Sequence, residues 1–191
     1  VGTAAGALSA DAATPTQDPR EAEIDAMVLK YAVLNGAIEF LPQDLATVAI
    51  LPLQTKMVYR IGKRYGYALS AAHVKEFLGV IGLGMSSQII EGYARKLFGK
   101  VAKQALGKTA GKLAQAATGP AMTFATTYAL GRVAQQYYAG GRTLSAVDLR
   151  SLFQRSVSEG QRVYQQHEGA VRQRASGMGV SDVLNLVRGK Q

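Results

Sequence analysis

The apolar residues in the first part of the chain recur at helical spacing. From residue 21 onward they lie three or four positions apart, at Ile24, Met27, Val28, Tyr31 and Leu34. That spacing puts them on one side of a helix, and acidic residues crowd its first turns, so a helix is predicted here. Asn35-Gly36 and Pro42 are turn-type residues and predict the end of this helix.

A second helical stretch is predicted over residues 45–69. One stripe of it holds Val48, Leu51, Thr55, Val58 and Gly62, whereas the basic side chains lie off that stripe. We expect the stripe to face the core. Pro52 is expected to kink this helix or to begin it, because proline has no backbone N–H.

The second half of the chain continues the helical pattern. Ser70 is a candidate N-cap for a helix running onward towards residue 98. One side of a later helix is predicted to hold Phe124, Tyr128, Gly131, Gln135 and Tyr138. Gly140-Gly141 ends that helix, and Ser145 with Asp148 forms a predicted capping box. The next helix has an apolar or small side made of Leu149, Leu152, Phe153, Val157, Gly160 and Tyr164, and Ser181 is expected to cap a last short helix.

No segment alternates apolar and polar residues with a period of two, so the predicted fold class is all-α. We expect a glycine- and alanine-rich helical bundle with a flexible N-terminal tail. The predicted organisation is a tail over residues 1–20, a bundle domain over 21–175, and a C-terminal linker with a short helix over 176–191.

Glycine is abundant for a helical chain, with 21 residues, and many fall inside helical patterns. A glycine inside a helix costs about 0.5–1 kcal/mol relative to alanine, so some compensation is expected. Close approach of two helix backbones is one such compensation. The predicted helix-packing positions are Gly79, Gly82, Gly107, Gly111 and Gly131.

The charge of the chain is unevenly distributed. Residues 1–50 contain two basic and seven acidic residues, a net −5, and the remainder contains 20 basic and six acidic residues, a net +14; together they give +9. This asymmetry favours anionic partners for the basic part: membrane headgroups, an acidic protein surface or nucleic acid.

Two uncharged segments are more apolar than an ordinary surface helix, residues 77–90 and residues 113–131. The first is short for a membrane span, and the second is rich in alanine, threonine, glutamine and glycine. Burial within the bundle is the favoured interpretation for both. Shallow or hairpin insertion into a membrane is the alternative.

The stretch "AKQALGKTAGK" (residues 102–112) has the letters of a loose phosphate-binding loop, with Ala102 in place of the first glycine and Lys108-Thr109 at its end. A working loop requires a buried strand before it and a helix after it. The preceding residues have helical spacing and several positive charges, so no such strand is predicted. A helix interrupted near Gly107 is therefore favoured over a nucleotide site.

A run of basic residues without an intervening acid occupies the same region: Arg95, Lys96, Lys100, Lys103, Lys108 and Lys112. A solvated helix face is the simpler interpretation. Contact with membrane headgroups or phosphates is the functional alternative, because an apolar segment lies just upstream. Nucleic acid is disfavoured, since no aromatic or arginine platforms are interleaved with these lysines.

Residues suited to catalysis or metal binding are sparse. There is no cysteine, and His73 and His167 lie far apart without metal-ligand spacing, so no metal site is predicted. Glu39 and Asp44 flank Pro42, which indicates a turn rather than a carboxylate pair. The Tyr65–Tyr67 and Tyr137-Tyr138 pairs are expected to pack in the core or at helix ends. The sequence therefore predicts no enzymatic activity and no cofactor.

Several sequence pieces within residues 39–153 together resemble the YcjF-like family of uncharacterised bacterial proteins. These are Leu53-Gln54-x2-Met57, Ile61-x3-Tyr65-Gly66 and "TYALGR" at residues 127–132. The resemblance implies an α-helical module, often associated with an Era-like GTPase, in the bacterial cytoplasm at or in the inner membrane. No catalytic residue is established for that family, and this chain has no GTPase motifs, so a GTPase partner would be a separate chain.

These observations lead to two main hypotheses. The first is a non-enzymatic, membrane-proximal helical interaction module, self-associating or acting with a separate GTPase. The second is a soluble scaffold or assembly subunit of a larger complex, a homo-oligomer or a hetero-complex, in which the acidic N-terminal part docks on the basic part of a neighbour. Nucleotide binding and nucleic-acid binding rank below both.

Overall fold

The computed structural model describes residues 18–81 and 119–189. Within these ranges every regular element is an α-helix, which confirms the all-α fold class. The helices are α1 (Pro19–Ile38), α2 (Gln43–Arg64), α3 (Ala71–Ile81), α4 (Pro120–Ala139), α5 (Ala146–Ser176) and α6 (Val180–Arg188). Three sets of predictions lie outside the described residues: the N-terminal tail up to residue 17, the basic run with the phosphate-loop-like stretch, and the packing positions Gly82, Gly107 and Gly111.

Helix α1 follows the predicted apolar pattern and extends further than predicted. The Asp18 side chain accepts a hydrogen bond from the Arg20 backbone N–H at 2.9 Å, and Pro19 occupies the first turn, where a missing N–H has no cost. The expected end at Asn35-Gly36 is wrong, because both residues lie buried inside the helix. At Gly36 a Cβ atom would lie 3.1 Å from the Pro120 carbonyl oxygen, so this glycine permits close contact with the start of α4.

Helix α2 buries a different face from the one predicted. Val58 and Gly62 are buried, but Val48 and Leu51 are 56% and 42% exposed. The core face instead consists of Leu45, Ala46, Ala49, Leu53, Met57, Val58 and Ile61. The helix is apolar on two sides, so the periodicity of the sequence fits either face. Pro52 does not begin α2, and it lies on the exposed side, where the carbonyl left without its N–H can be hydrated.

Helix α4 lies at the centre of the bundle. It packs against α1, α2 and α5, and its side chains are buried on nearly every side. Phe124, Gly131, Gln135 and Tyr138 are buried, which confirms the predicted inward side, and Tyr128 is half-buried. The part of the apolar segment 113–131 that the structure describes is therefore largely inside the protein.

Three polar side chains meet inside the core, one from each of three helices. Asn35 on α1 and Gln54 on α2 both donate to the Thr127 hydroxyl on α4, at 3.2 and 3.0 Å. All three residues are at most 4% exposed. Because buried polar groups need partners, this cluster constrains how the three helices are rotated against one another.

Helices α5 and α6 close the bundle. The predicted capping box is confirmed: the Ser145 hydroxyl accepts from the Asp148 N–H at 3.1 Å, and the Asp148 carboxylate accepts from the Ser145 N–H at 3.3 Å. Helix α6 begins two residues earlier than predicted, with Gly179 rather than Ser181 at the N-cap. Val183 of α6 is fully buried, and the helix packs on α2.

Two glycines sit at very close helix contacts. A Cβ atom at Gly160 on α5 would lie 2.8 Å from the Ala125 carbonyl oxygen and 2.9 Å from its Cα on α4. At Gly131 on α4 it would lie 2.5 Å from a Val28 methyl group on α1. Gly79 is different, because it is exposed and no described atom lies within 4 Å of its Cβ position, so no described helix packs against it.

None of the six described helices is both long enough and apolar enough to cross a bilayer.

Substituting Gly160 tests the close contact between α4 and α5. We expect Gly160→Ala to lower the free energy of unfolding by about 1–3 kcal/mol, because the new methyl group meets backbone atoms that cannot move aside easily. Gly169→Ala on the same helix is the matched control. No described atom lies within 4 Å there, so a gain of about 0.5–1 kcal/mol is expected. Urea unfolding measures both, and equal stabilisation by the two substitutions would contradict the close packing.

Candidate functional site

A small cleft lies between α3 and the turn that joins α4 to α5. Its volume is about 150 Å³. Its walls consist of Leu69, Phe77, Val80, Tyr137, Tyr138 and Leu149, with His73, Glu76 and Arg142 as its polar residues. We call this feature the aromatic cleft. It brings together residues from three separate parts of the described chain.

The rings beside the cleft form one cluster. The centroid of the Phe77 ring lies 5.1 Å from that of Tyr137 and 6.1 Å from that of Tyr138. Tyr67 extends the cluster, with its ring 5.3 Å from Tyr138 and its hydroxyl donating to the Tyr138 carbonyl oxygen at 3.2 Å. Distances and tilted planes of this kind are favourable for aromatic pairs. The two tyrosine pairs, which were expected to pack in the core or at helix ends, therefore pack against each other through Tyr67 and Tyr138.

The end of α2 positions one wall of the cleft. At Gly62 a Cβ atom would overlap a Leu69 methyl group and lie 3.0 Å from the Tyr138 ring, so only glycine leaves room for both. The chain then turns through Gly66, whose φ of +84° suits glycine, and the Tyr67 N–H returns to the Gly62 carbonyl oxygen at 3.1 Å. This turn brings Tyr67 and Leu69 back towards α4.

Arg142 stands out because its backbone has a φ of +63°, in the left-handed region. For a residue other than glycine this conformation costs about 1–2 kcal/mol, and such strain clusters at functional sites. The Arg142 N–H donates to the Tyr137 carbonyl oxygen at 2.8 Å, which fixes the turn. Its guanidinium carbon lies 5.6 Å from the centre of the Tyr67 ring, a cation–π distance. The strained turn thereby holds a positive charge at the edge of the aromatic cluster.

The start of α3 supplies the other polar residues of the cleft. The Ser70 hydroxyl accepts from the His73 N–H at 3.3 Å, and His73 Nδ1 accepts from the Ser70 N–H at 3.2 Å. The predicted N-cap at Ser70 is therefore confirmed, and His73 takes the place that glutamate holds in a capping box. Because Nδ1 is an acceptor here, the ring proton of neutral His73 is on Nε2. Glu76, one turn further on, adds a negative charge.

The Tyr138 side chain is shielded from water within the aromatic cluster. Burial raises the pKa of the Tyr138 phenol to about 12, and the neighbouring Tyr137 adds to the increase, while the Arg142 charge lowers the pKa and offsets part of it. The residue is 3% exposed. The protein therefore holds Tyr138 in its neutral form.

A second polar group lies elsewhere, where α1, α4 and α5 meet. Asp25 Oδ1 accepts from Arg132 at 2.7 Å and from Gln135 at 3.0 Å. Tyr128 donates to Glu159 at 2.9 Å, and burial with that hydrogen bond raises the Tyr128 pKa to about 12. These groups tie the three helices together.

The other candidate residues that the structure describes do not converge on a reactive site. Glu39 accepts a hydrogen bond from the Thr123 hydroxyl, whereas Asp44 is exposed in the first turn of α2. His167 hydrogen-bonds the Val163 carbonyl oxygen at 2.9 Å and stacks on Phe124. Across the two described ranges, no group of three or more acidic or histidine side chains is arranged to hold a metal ion.

Another depression, of about 360 Å³, lies beside the turn between α5 and α6. Its lining is formed by Arg174, Gly177, Met178, Asp182, Asn185 and Leu186. The Asp182 carboxylate already caps α6 by accepting from the Gly179 N–H at 2.8 Å. This depression has no aromatic residue, so the aromatic cleft is the better candidate site.

The sequence signals for the cleft were incomplete. The tyrosine pairs were visible, but nothing in the linear pattern connects them with Phe77 or Leu149. Arg142 follows Gly140-Gly141, which marks a turn, yet the left-handed backbone falls on the arginine as well as on Gly141. Only the packing of α3 against α2 and α5 brings the parts together.

No family model, curated protein or solved structure matches this chain. The resemblance to the YcjF-like family therefore rests on the sequence pieces quoted above alone.

The raised pKa of Tyr138 predicts a loss of stability at high pH. Below pH 10 the phenol is protonated in both states; between pH 10 and about 12 only the unfolded chain loses the proton, so the free energy of unfolding falls. Tyr138→Phe removes this contribution, by up to about 1.4 kcal/mol per pH unit. We expect urea unfolding between pH 9 and 11.5 to show a shallower decline for Tyr138→Phe than for the unchanged chain. Parallel declines would contradict the burial of the phenol.

Proposed function

We propose that this chain is a non-enzymatic helical interaction module that binds a protein partner by taking one apolar side chain into the aromatic cleft. The observation that supports this most directly is the size of the cleft together with its lining. An aromatic and aliphatic wall with a few charged groups beside it is typical of a binding surface.

The volume favours a side chain over a small-molecule ligand. Pockets for cofactors and drug-sized ligands measure about 300–1,000 Å³, whereas an apolar cavity of about 150 Å³ holds a group the size of benzene. The aromatic cleft, at about 150 Å³, has the volume of one side chain. A leucine or phenylalanine side chain from a partner would contact its aromatic and aliphatic walls, while His73, Glu76 and Arg142 make the rest of the lining polar.

The polar groups of the cleft suit a peptide backbone with an acidic neighbour. Arg142 and Glu76 are both exposed, so each can reach a partner that lies across the opening. Arg142 is held on the Tyr67 ring, and a carboxylate next to the inserted side chain would pair with its guanidinium. The proposed partner segment therefore carries an apolar residue beside an aspartate or glutamate.

A short peptide tests this proposal. The probe is the acetylated and amidated peptide Ala-Asp-Leu-Ala-Ala, and the control peptide has alanine in place of leucine. We expect the leucine peptide to shift the backbone amide NMR signals of Phe77, Tyr137 and Arg142, because its side chain enters the cleft. Val80→Phe should abolish the shifts, because the larger ring fills the cleft. Gly79→Ala should preserve them, because its new methyl group points into open space. Equal shifts with both peptides, or shifts that survive in Val80→Phe, would refute the proposal.

A second proposal places the module at the bacterial inner membrane. Its support is the sequence: a net charge of +14 outside the first 50 residues, and six basic residues between 95 and 112 with no acid among them. Each basic residue near an anionic leaflet contributes about 1 kcal/mol. A scaffold subunit in a larger complex, or a partner of a separate GTPase, would use the same interaction surfaces.

Vesicle binding tests the membrane proposal. We expect the protein to co-sediment with phosphatidylglycerol vesicles at low salt and to dissociate from them as salt rises. It should not bind phosphatidylcholine vesicles. The triple substitution Lys96→Glu, Lys100→Glu, Lys103→Glu should abolish binding. The matched control is Arg155→Glu with Arg162→Glu and Arg174→Glu, three exposed positions on α5 that change the net charge by the same amount. Equal loss with both sets would show a response to net charge only, and no binding at low salt would end the proposal.

A further inference from the structure

The exposed side of α2 carries a stripe of apolar residues with a charge at each end. Its members recur three or four residues apart, at Asp44, Val48, Leu51, Thr55, Tyr59 and Lys63, and we call them the α2 stripe. Val48 and Leu51 are 56% and 42% exposed, so no other part of the described chain covers them fully. The opposite face of α2 already contacts α1, α4 and α6.

The stripe is more apolar than its sequence suggests. The Thr55 hydroxyl donates to the Leu51 carbonyl oxygen at 2.8 Å, so its one hydrogen-bond donor is used within the helix. Pro52 lies beside the stripe on the exposed side and adds further apolar surface. Tyr59 is half-buried, and the Lys63 ammonium lies 5.6 Å from the centre of its ring, which keeps the lysine on this face.

We propose that the α2 stripe is a self-association surface that binds a second copy of this chain, with the two α2 helices antiparallel. In that orientation Asp44 of each copy lies opposite Lys63 of the other, and Val48 lies opposite Tyr59. Both opposite-charge pairs form at once, as a two-fold interface requires. A parallel pair would instead place Asp44 against Asp44 and Lys63 against Lys63.

The charge pattern distinguishes this occupant from a membrane. An anionic leaflet would attract Lys63 but repel Asp44 at the other end of the same stripe. Pairing with an antiparallel copy instead gives both Asp44 and Lys63 a partner of opposite charge. This proposal does not depend on the aromatic cleft, so either can fail without the other.

The dimer is expected to be weak. One pair of helices in contact over about 20 residues, or about 30 Å, is shorter than most stable interfaces, which bury about 1,200–2,000 Å². Association should therefore depend on concentration, and it should weaken with added salt because the end pairs are exposed.

Analytical ultracentrifugation over a concentration series tests the proposal. We expect a reversible monomer–dimer equilibrium at low salt, which Leu51→Gln abolishes. Asp44→Lys and Lys63→Asp should each weaken association about tenfold, since symmetry places each change at two sites. An equimolar mixture of those two variants should restore it. One variant then has a positive charge at both ends of the stripe and the other a negative charge at both, so both end pairs are again of opposite sign. Arg155→Asp, on the exposed surface of α5, is the control and should change nothing.

Three results would overturn the proposal. The first is a monomer at every concentration, or a mixture that associates no better than its components. In the second, Leu51→Gln lowers the free energy of unfolding of a chain that stays monomeric, which would show that the same chain covers the stripe. In the third, stripe variants lose vesicle binding without any change in mass, which would assign the stripe to a membrane. Circular dichroism of each variant checks that it remains helical.

Discussion

The hydroxyl group of Thr127 is the point on which the arrangement of three helices depends. It lies on the central helix α4 and accepts hydrogen bonds from Asn35 of α1 and Gln54 of α2, inside an otherwise apolar core. Apolar packing tolerates small rotations of a helix, but a buried amide that loses its acceptor is costly. The three side chains therefore select one rotation of α1 and α2 around α4, and that selection decides which residues reach the surface.

Close backbone contact fixes the position of α5 against α4, as the polar cluster fixes the rotation of α1 and α2. Gly160 lets α5 approach Ala125 until their backbones touch, and Gly131 admits a methyl group of Val28 from the opposite side. Helix α4 is thus enclosed on several sides. Its C-terminal end, with Tyr137 and Tyr138, then meets α3 and the end of α2, and the aromatic cleft forms where these elements do not fill the space completely.

Both proposed surfaces arise where the core stops short of covering apolar groups. The cleft leaves a space for one side chain beside a strained, charged turn, and the α2 stripe leaves an apolar helix face with opposite charges at its ends. Burial raises the pKa of both Tyr128 and Tyr138 and keeps them neutral, and at Tyr128 the hydrogen bond to Glu159 adds to the increase. Apolar surfaces with charged groups beside them suit recognition between proteins, and they support the proposed interaction module.

The sequence by itself determined the all-α class, the inward side of α4, and the caps at Ser70 and Ser145. These features depend on local periodicity and on hydrogen bonds between residues three or four positions apart, which a linear pattern records. Tertiary structure alone decided which of two apolar faces of α2 is buried, because both fit the same period. It also decided that Asn35-Gly36 continues α1, since the reason is a contact with Pro120 more than 80 residues away, and that Arg142 reaches Tyr67 across the turn.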